Sequence, residues 1–307
     1  MSVGKTVRHQ VEYIGARAVI GICSLLPLSV LRRAGEVVGW AAYHFVPIRR
    51  GVTIENIRTS LTGSDRRRAE EIALESYINF GRSMFEASSL TSMSREDVLG
   101  LVTVDGVENL ESAVAHGKGA IVFTGHFGNW ELLGPAIAAS GFPMFGVDTR
   151  HSNRRTHRLI VDMRRSHGIT VLPPEQPLRD FLKVLDGRNV VGFPADQDGG
   201  RDGVFVDFFG RPASTRRALA LIALRRGCPV VPGFVVRETR DHHRLVLGKV
   251  MWADRSLGSE AAVVDLTQRL TKELEGMIRR YPQLYFWVHR RWKTRPPNLA
   301  PASAGRS

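Results

Sequence analysis

The chain has 307 residues, 43% of them hydrophobic, enough for a packed core and an argument against wholesale disorder. Its 43 Lys and Arg outnumber 30 Asp and Glu, and the net charge of +13 points to a polyanionic partner: nucleic acid, an anionic membrane surface or an acidic protein. The two cysteines, Cys23 and Cys228, lie far apart without Cys/His ligand spacing, which speaks against a disulfide framework or a zinc site and fits a reducing compartment.

At the N-terminus Val7, Val11, Ile14, Ala18, Ile22 and Leu25 recur at steps of three and four, which predicts an amphipathic helix broken near Pro27. The uncharged stretches Ala18 to Leu31 and Val37 to Ile48 fall short of the roughly 18 residues a membrane span requires. No small-residue cleavage site follows them, so a cleavable signal peptide is not expected. Flanking Arg8, Arg17, Arg32 and Arg33, with Trp40, Tyr43 and Phe45, favour a helical pair lying on or dipping into a membrane over a pair of core helices. Residues 1–50 therefore form a membrane-associating segment in this reading, 51–296 an α/β domain, and 297–307, rich in Pro, Ala and Ser, a disordered tail.

A long helix is predicted from Gly63-Ser64-Asp65 to about Leu90. Strand-like segments follow at Val102–Val104, Ala120–Phe123, Met144–Val147, Thr170–Leu172, Val190–Phe193, Val230–Val236 and Leu245–Val250, with helical segments between most of them. This alternation predicts an α/β fold with a central, mostly parallel or mixed sheet flanked by helices. Ser214-Thr215 is expected to cap a helix ending at Gly227, and Val263, Leu266, Leu270, Leu274, Met277 and Ile278 mark the apolar stripe of the last helix. His242-His243 has no ligand partner at metal spacing and is expected at the surface.

The segment Gly125-His126-Phe127-Gly128-Asn129-Trp130-Glu131 follows the apolar run 120–123, so His126 is placed where a strand ends and a helix begins. On one continuous helix, residues five apart diverge by roughly 140°, so His126 and Glu131 can meet only if His126 precedes the helix. In that arrangement a neutral imidazole takes a proton from a hydroxyl while the carboxylate holds its other nitrogen. A structural histidine beside a solvated glutamate is the alternative, since short motifs recur by chance. Between 150 and 165 six arginines (Arg150, Arg154, Arg155, Arg158, Arg164 and Arg165) face one acid, Asp162, and His289-Arg290-Arg291-Trp292-Lys293-Thr294-Arg295 forms a second basic run. Such runs form either solvated faces or polyanion docking sites.

Four segments in this order, 125–131, Asp196-Gln197-Asp198-Gly199-Gly200, Val206-Asp207-Phe208-Phe209-Gly210-Arg211-Pro212-Ala213-Ser214-Thr215, and 281–296 (Tyr-Pro-Gln-Leu-Tyr-Phe-Trp-Val-His-Arg-Arg-Trp-Lys-Thr-Arg-Pro), resemble the bacterial lipid A biosynthesis acyltransferase family. Its members are the late lauroyl and myristoyl transferases and their phosphatidylinositol mannoside acyltransferase relatives. The resemblance runs from the N-terminal apolar segment to Pro296. It implies a glycerolipid acyltransferase-like fold and transfer of a fatty acyl group from a thioester, on acyl carrier protein or coenzyme A, to a hydroxyl of a membrane glycolipid. It implies no cofactor beyond that thioester co-substrate, and an active site on the cytoplasmic face of the inner membrane, with the protein peripheral or singly anchored.

Residue by residue, the resemblance makes His126 the base and Glu131 its acidic partner, puts a functional arginine within 163–168, at Arg165 in preference to Arg164, and matches a functional aspartate to Asp196. Asn129, Arg150, Arg164 and Gln197 are expected to contact substrate. The lipid A enzymes often carry a tyrosine or related residue where this chain has Asp148-Thr149-Arg150, a departure that bears on the acceptor sugar. Read from the residues alone, Asp196 either orients an arginine or a donor group or closes a turn before Asp198-Gly199-Gly200. Phe208-Phe209 lines an acyl channel or belongs to the core.

No G-x-S-x-G elbow is present and Cys228 reads as buried, so direct transfer in a ternary complex is the simpler expectation than a covalent acyl-enzyme. A thioesterase or lipase using the same pair to activate water is the nearest alternative. A nucleic-acid binder is disfavoured, because no binding module is recognisable and aromatic residues do not alternate with the arginines of 150–165.

Overall fold

The computed structural model describes residues 3–46, 49–147, 152–173 and 177–297, with side chains from Val7 onward. Arg150 and residues 298–307 of the expected disordered tail lie outside the described residues.

Helices α1 (Val3–Cys23) and α2 (Leu28–Phe45) are separated at Pro27, as the sequence predicts, because proline has no N–H to continue the ladder. A short α3 (Arg50–Ile57) leads to α4 (Arg66–Ser89), whose first turn is capped by the Asp65 carboxylate accepting from Arg68 N at 2.9 Å. The α2 and α4 backbones approach so closely that a Cβ on Gly39 would sit 2.3 Å from the Tyr77 carbonyl oxygen. Only glycine permits this approach, and through it α2 is built onto the body of the molecule.

The α/β part follows: α5 (Arg95–Leu101), β1 (Val102–Asp105), α6 (Val107–Ala115), β2 (Lys118–Thr124), α7 (Leu133–Ala139), β3 (Met144–Val147), α8 (Arg154–Ser166), β4 (Thr170–Leu172), α9 (Leu178–Val184) and β5 (Gly187–Pro194). After these come β6 (Val204–Phe208), β7 (Arg211–Thr215), α10 (Ala218–Arg226), β8 (Val230–Arg237), β9 (His243–Leu247) and α11 (Ser259–Arg280). Seven strands form one sheet in the order β1-β9-β8-β2-β5-β3-β4. Only the β8–β9 pair is antiparallel, so the sheet is mixed and mostly parallel. Alternate residues of β2 serve two cores: Ile121 and Phe123 pack with α10 and α11, Ala120 and Val122 with α6 and α7. A strand covered on both faces reads as a continuous apolar run, which is why β2 was visible in the sequence.

Two sequence expectations are corrected here. Ser214 and Thr215 do not cap a helix; they end β7, which pairs with β6 in a separate hairpin turning at Phe209-Gly210, both with positive φ. Helix α10 begins later, at Ala218, with no side-chain cap, and stops at Gly227 in the left-handed conformation as expected. His243 is not a surface residue: it is fully buried and its Nε2 lies 3.2 Å from the Glu86 carboxylate. Phe208 and Phe209 are core residues. Among the described residues no helix is long and apolar enough to cross a membrane. Helices α1 and α2 and the turn between them nevertheless leave Val11, Ile14, Leu25, Trp40 and Phe45 exposed, Leu25 to 84% and Phe45 to 71%.

Candidate active site

Strands β2 and β5 run parallel with Thr124 opposite Pro194, and Ala195 N donates to the Thr124 carbonyl at 3.1 Å. Two residues beyond each strand end stand His126 and Asp196. The shared register therefore brings the two side chains together at the carboxyl edge of the sheet, where open α/β folds place their chemistry. His126 Nδ1 lies 2.8 Å from Asp196 Oδ1, and the His126 backbone N–H donates to Asp196 Oδ2 at 2.9 Å. The carboxylate is completely buried and the imidazole one-fifth exposed.

The turn that carries His126 is held from several sides. Gly128, at φ +59°, passes so close to β8 that a Cβ would lie 1.7 Å from the Val235 carbonyl oxygen. Its N–H donates to Leu284 O at 2.8 Å, and Phe286 N donates to His126 O at 3.0 Å, so the segment after α11 is strapped across the turn. Asn129, expected to contact substrate, is instead buried and donates to Glu86 Oε2 at 3.0 Å. His126 precedes the helix as the spacing required: a 3₁₀ turn begins at Trp130 and α7 at Leu133.

Glu131 sits on that 3₁₀ turn and does not serve His126 as its hydrogen-bonding partner. Its carboxylate accepts from Arg164 Nη2 at 2.9 and 3.1 Å and from Arg164 Nε at 3.2 Å, and also from Trp130 Nε1. The expected His126–Glu131 contact is thus replaced by His126–Asp196, because sheet register and not local spacing decides which carboxylate reaches the imidazole. Of the two arginines weighed for the site, Arg164 is the one that lines the cavity. Arg164 faces the site with its side chain 19% exposed, whereas Arg165 is 64% exposed on the outer face of α8, near Asp162.

Burial disfavours an imidazolium at His126, but the charge and hydrogen bond of Asp196, with a smaller contribution from Glu131, raise its pKa above the ordinary 6.5. Burial also opposes charge on Asp196, yet His126 and, more weakly, His289 hold that carboxyl at about 2. An ionised Asp196 only accepts, so the Nδ1 contact keeps a proton on Nδ1 and leaves Nε2 as the acceptor. Gln197 Nε2 lies 3.4 Å from that Nε2 and 3.1 Å from His289 Nε2, one amide spanning two imidazoles. Burial pushes His289 down to about 4, so it is neutral at physiological pH.

His289 was not singled out by sequence reasoning. The only available signal was its place in the 281–296 motif, since its approach to His126, 5.2 Å between ring centroids, depends on the strap. These groups line the polar end of a cavity of about 550 Å³ whose remainder is walled by Phe80, Met84 and Ala87 of α4, Ile160 and Met163 of α8, and Ile20 of α1. Among the described residues no group of three or more His, Cys, Asp or Glu is placed to hold a metal ion.

A titratable imidazole thus stands at the polar end of a mostly apolar cavity. Residues 3–294 match the family described as bacterial lipid A biosynthesis acyltransferase. The chain belongs to that family. It is 26% identical over 292 residues, 94% of this chain and 93% of the relative, to a lipid A biosynthesis palmitoleoyltransferase of Escherichia coli K12. A lipid A biosynthesis lauroyltransferase of the same organism is 24% identical over 294 residues, 95% of this chain and 94% of its own. A phosphatidylinositol mannoside acyltransferase of Mycobacterium tuberculosis H37Rv is 28% identical over 224 residues, 72% of this chain and 69% of its own. This acyltransferase presents His126 and Asp196 at one edge of a seven-stranded sheet.

Proposed function

We propose that this acyltransferase moves a fatty acyl group from a thioester, on acyl carrier protein or coenzyme A, to a hydroxyl of a membrane glycolipid, with His126 as general base. The observation that carries the reading is the 2.8 Å contact between His126 and a buried Asp196 at the polar end of an apolar cavity. The acceptor hydroxyl gives its proton to His126 Nε2 as its oxygen attacks the thioester carbonyl. Asp196 fixes the tautomer and stabilises the imidazolium that forms. The tetrahedral oxyanion then collapses, the carbon–sulfur bond breaks, and the imidazolium returns the proton to the departing thiolate.

In this scheme Gln197 occupies the position the acceptor hydroxyl takes, and moves aside or hydrogen-bonds it. Arg164, aligned by Glu131, supplies positive charge where the oxyanion develops. The apolar walls hold the acyl chain and keep water from the thioester. No cofactor is called for beyond the thioester itself.

The exposed apolar residues of α1 and α2 seat the protein on a membrane, and Ile20 of α1 also lines the cavity, so lipid reaches the site from the bilayer side. The net charge of +13 suits either anionic lipid headgroups or an acidic carrier. Because carrier and coenzyme A thioesters are cytoplasmic, the site belongs on the cytoplasmic face of the inner membrane. Purified protein incubated with palmitoyl-coenzyme A, with and without a glycolipid extract, tests the reading. Thiol release is expected to depend on the extract; release at full rate without it identifies a hydrolase and overturns the proposal.

A further inference from the structure

Two imidazoles at the polar end of the cavity share one amide. Gln197 Nε2 lies 3.4 Å from His126 Nε2 and 3.1 Å from His289 Nε2, and all three side chains line the cavity. The His126 proton is on Nδ1, facing Asp196 at 2.8 Å, so its Nε2 can only accept. An amide oxygen between the rings would set acceptor against acceptor, and the group that stands there is therefore the NH₂. Its two hydrogens serve one imidazole each, which makes His289 Nε2 an acceptor as well. Burial keeps His289 neutral, in keeping with that role.

The backbone fixes His289 in this position. Asn56 Nδ2 of α3 donates to the carbonyls of His289 and Trp287, both at 2.9 Å, and Arg291 N donates to His289 O at 2.9 Å. The Phe286 ring meets the imidazole edge to face, with centroids 4.9 Å apart. The two acceptors are thus held at a separation that a single nitrogen atom bridges.

A ligand that takes the place of the amide has both acceptors to satisfy. A lone hydroxyl has one hydrogen and leaves the second imidazole without a donor in a partly buried site. Hydroxyls on adjacent carbons present two hydrogens, and with each oxygen roughly 2.8 Å from its own acceptor the pair spans the gap that the amide nitrogen spans.

We propose that His289 is a binding residue for the acyl acceptor: it takes a hydrogen bond from a second hydroxyl, next to the one that reacts at His126, and so selects a vicinal diol, as on a sugar ring, over a hydroxyl standing alone on a hydrocarbon chain. With His126 as the base, on which this assignment rests, the reacting hydroxyl loses its proton while the second keeps its own. His289 therefore binds ground state and transition state alike, and its loss is felt in KM for the acceptor more than in kcat.

The full chain is assayed with palmitoyl-coenzyme A and either 1,2-dodecanediol or 1-dodecanol, acceptors that differ by one hydroxyl, with the glycolipid extract in a parallel reaction. Wild-type enzyme is expected to favour the diol about 10- to 100-fold in kcat/KM. His289→Phe and His289→Leu, which have no acceptor, are expected to bring that ratio to within about threefold, chiefly by raising KM for the diol. In His289→Gln the side-chain carbonyl takes the hydrogen of the second hydroxyl, and most of the preference is kept.

A merely structural His289 would lower transfer to both alcohols by one factor and leave the ratio in place. That result, equal use of the two alcohols by the wild-type enzyme, no transfer to the diol while the extract is acylated, or failure of both apolar variants to fold overturns this assignment alone. Thiol release at full rate with no acceptor present overturns the transferase reaction and the assignment with it.

Discussion

Glu86 and Asp196 are both buried carboxylates within one hydrogen bond of the turn that carries His126 and Asn129, and they are held in opposite ways. Glu86 on α4 accepts from Arg32 Nε at 2.5 Å, from both terminal nitrogens of Arg237 at 2.9 and 2.7 Å, and from Asn129 at 3.0 Å, with His243 at 3.2 Å. It ties α2, β8, β9 and the turn after β2 to α4, and two of its partners are permanent cations. Asp196 has a titratable partner, His126, whose other nitrogen faces the cavity. A carboxylate saturated by permanent charges holds a structure together. One whose partner exchanges a proton with the cavity is equipped for chemistry.

The largest effect that tests this contrast is on turnover. His126→Ala and Asp196→Asn are each expected to lower acyl transfer by about 10³- to 10⁴-fold, while lowering the thermal unfolding midpoint less than loss of Glu86 does. Glu86→Ala is expected to act the other way round: it leaves Arg237 buried without its anion and Arg32 with only the exposed Asp241, and lowers stability by about 3–5 kcal/mol in urea denaturation. A Glu86→Ala protein as stable as wild type would break the comparison.

The pH dependence sharpens it. Because the His126 pKa lies above 6.5, transfer should fall with acid on a limb positioned above that value. That raised value contributes stability below pH 6.5, which is lost as pH rises through the folded-state pKa. Asp196, held at about 2 against an ordinary 3.8, contributes stability above pH 3.8 that is lost as pH falls toward 2. Glu86 is also held below its ordinary 4.5: burial opposes its charge, but His243 and Arg237 outweigh it. Urea midpoints measured between pH 7 and 3 should therefore fall less steeply in Glu86→Gln than in wild type.

Smaller effects are expected at the second ion pair. Arg164→Lys keeps a charge but loses the fork on Glu131, and should reduce kcat by about 10²-fold in initial-rate measurements. Arg165→Ala, at an exposed position, should leave transfer in detergent within about twofold of wild type, as expected where a surface pair contributes little. Comparable losses in both variants would remove the distinction drawn between the two arginines.

Much of the fold was legible because its signals are local. The apolar runs of β2, β5 and β8, Asp65 before α4, Pro27 between α1 and α2, and Gly227 after α10 each act within one or two turns of chain. The β6–β7 hairpin was not, since Asp207 to Pro212 reads as a loop until pairing with the facing strand is known. The buried His243 was missed for a related reason: its partner Glu86 is on a helix distant in sequence, and nothing in His242-His243 itself announces it.

For the site, the sequence by itself determined that His126 stands on a strand-to-helix turn, and that no single helix can bring Glu131 onto it, because a helix sets angles from spacing alone. Which carboxylate meets the imidazole was decided by tertiary structure. His126 and Asp196 are 70 positions apart, and only the parallel register of β2 with β5, Thr124 opposite Pro194, sets them side by side. The same holds for Arg164 over Arg165, for His289, and for the burial of Arg291 within a run of exposed basic residues. Helical spacing is a property of the chain, whereas strand register and strap placement are properties of the packed core, and these decide which residues face one another across the cavity.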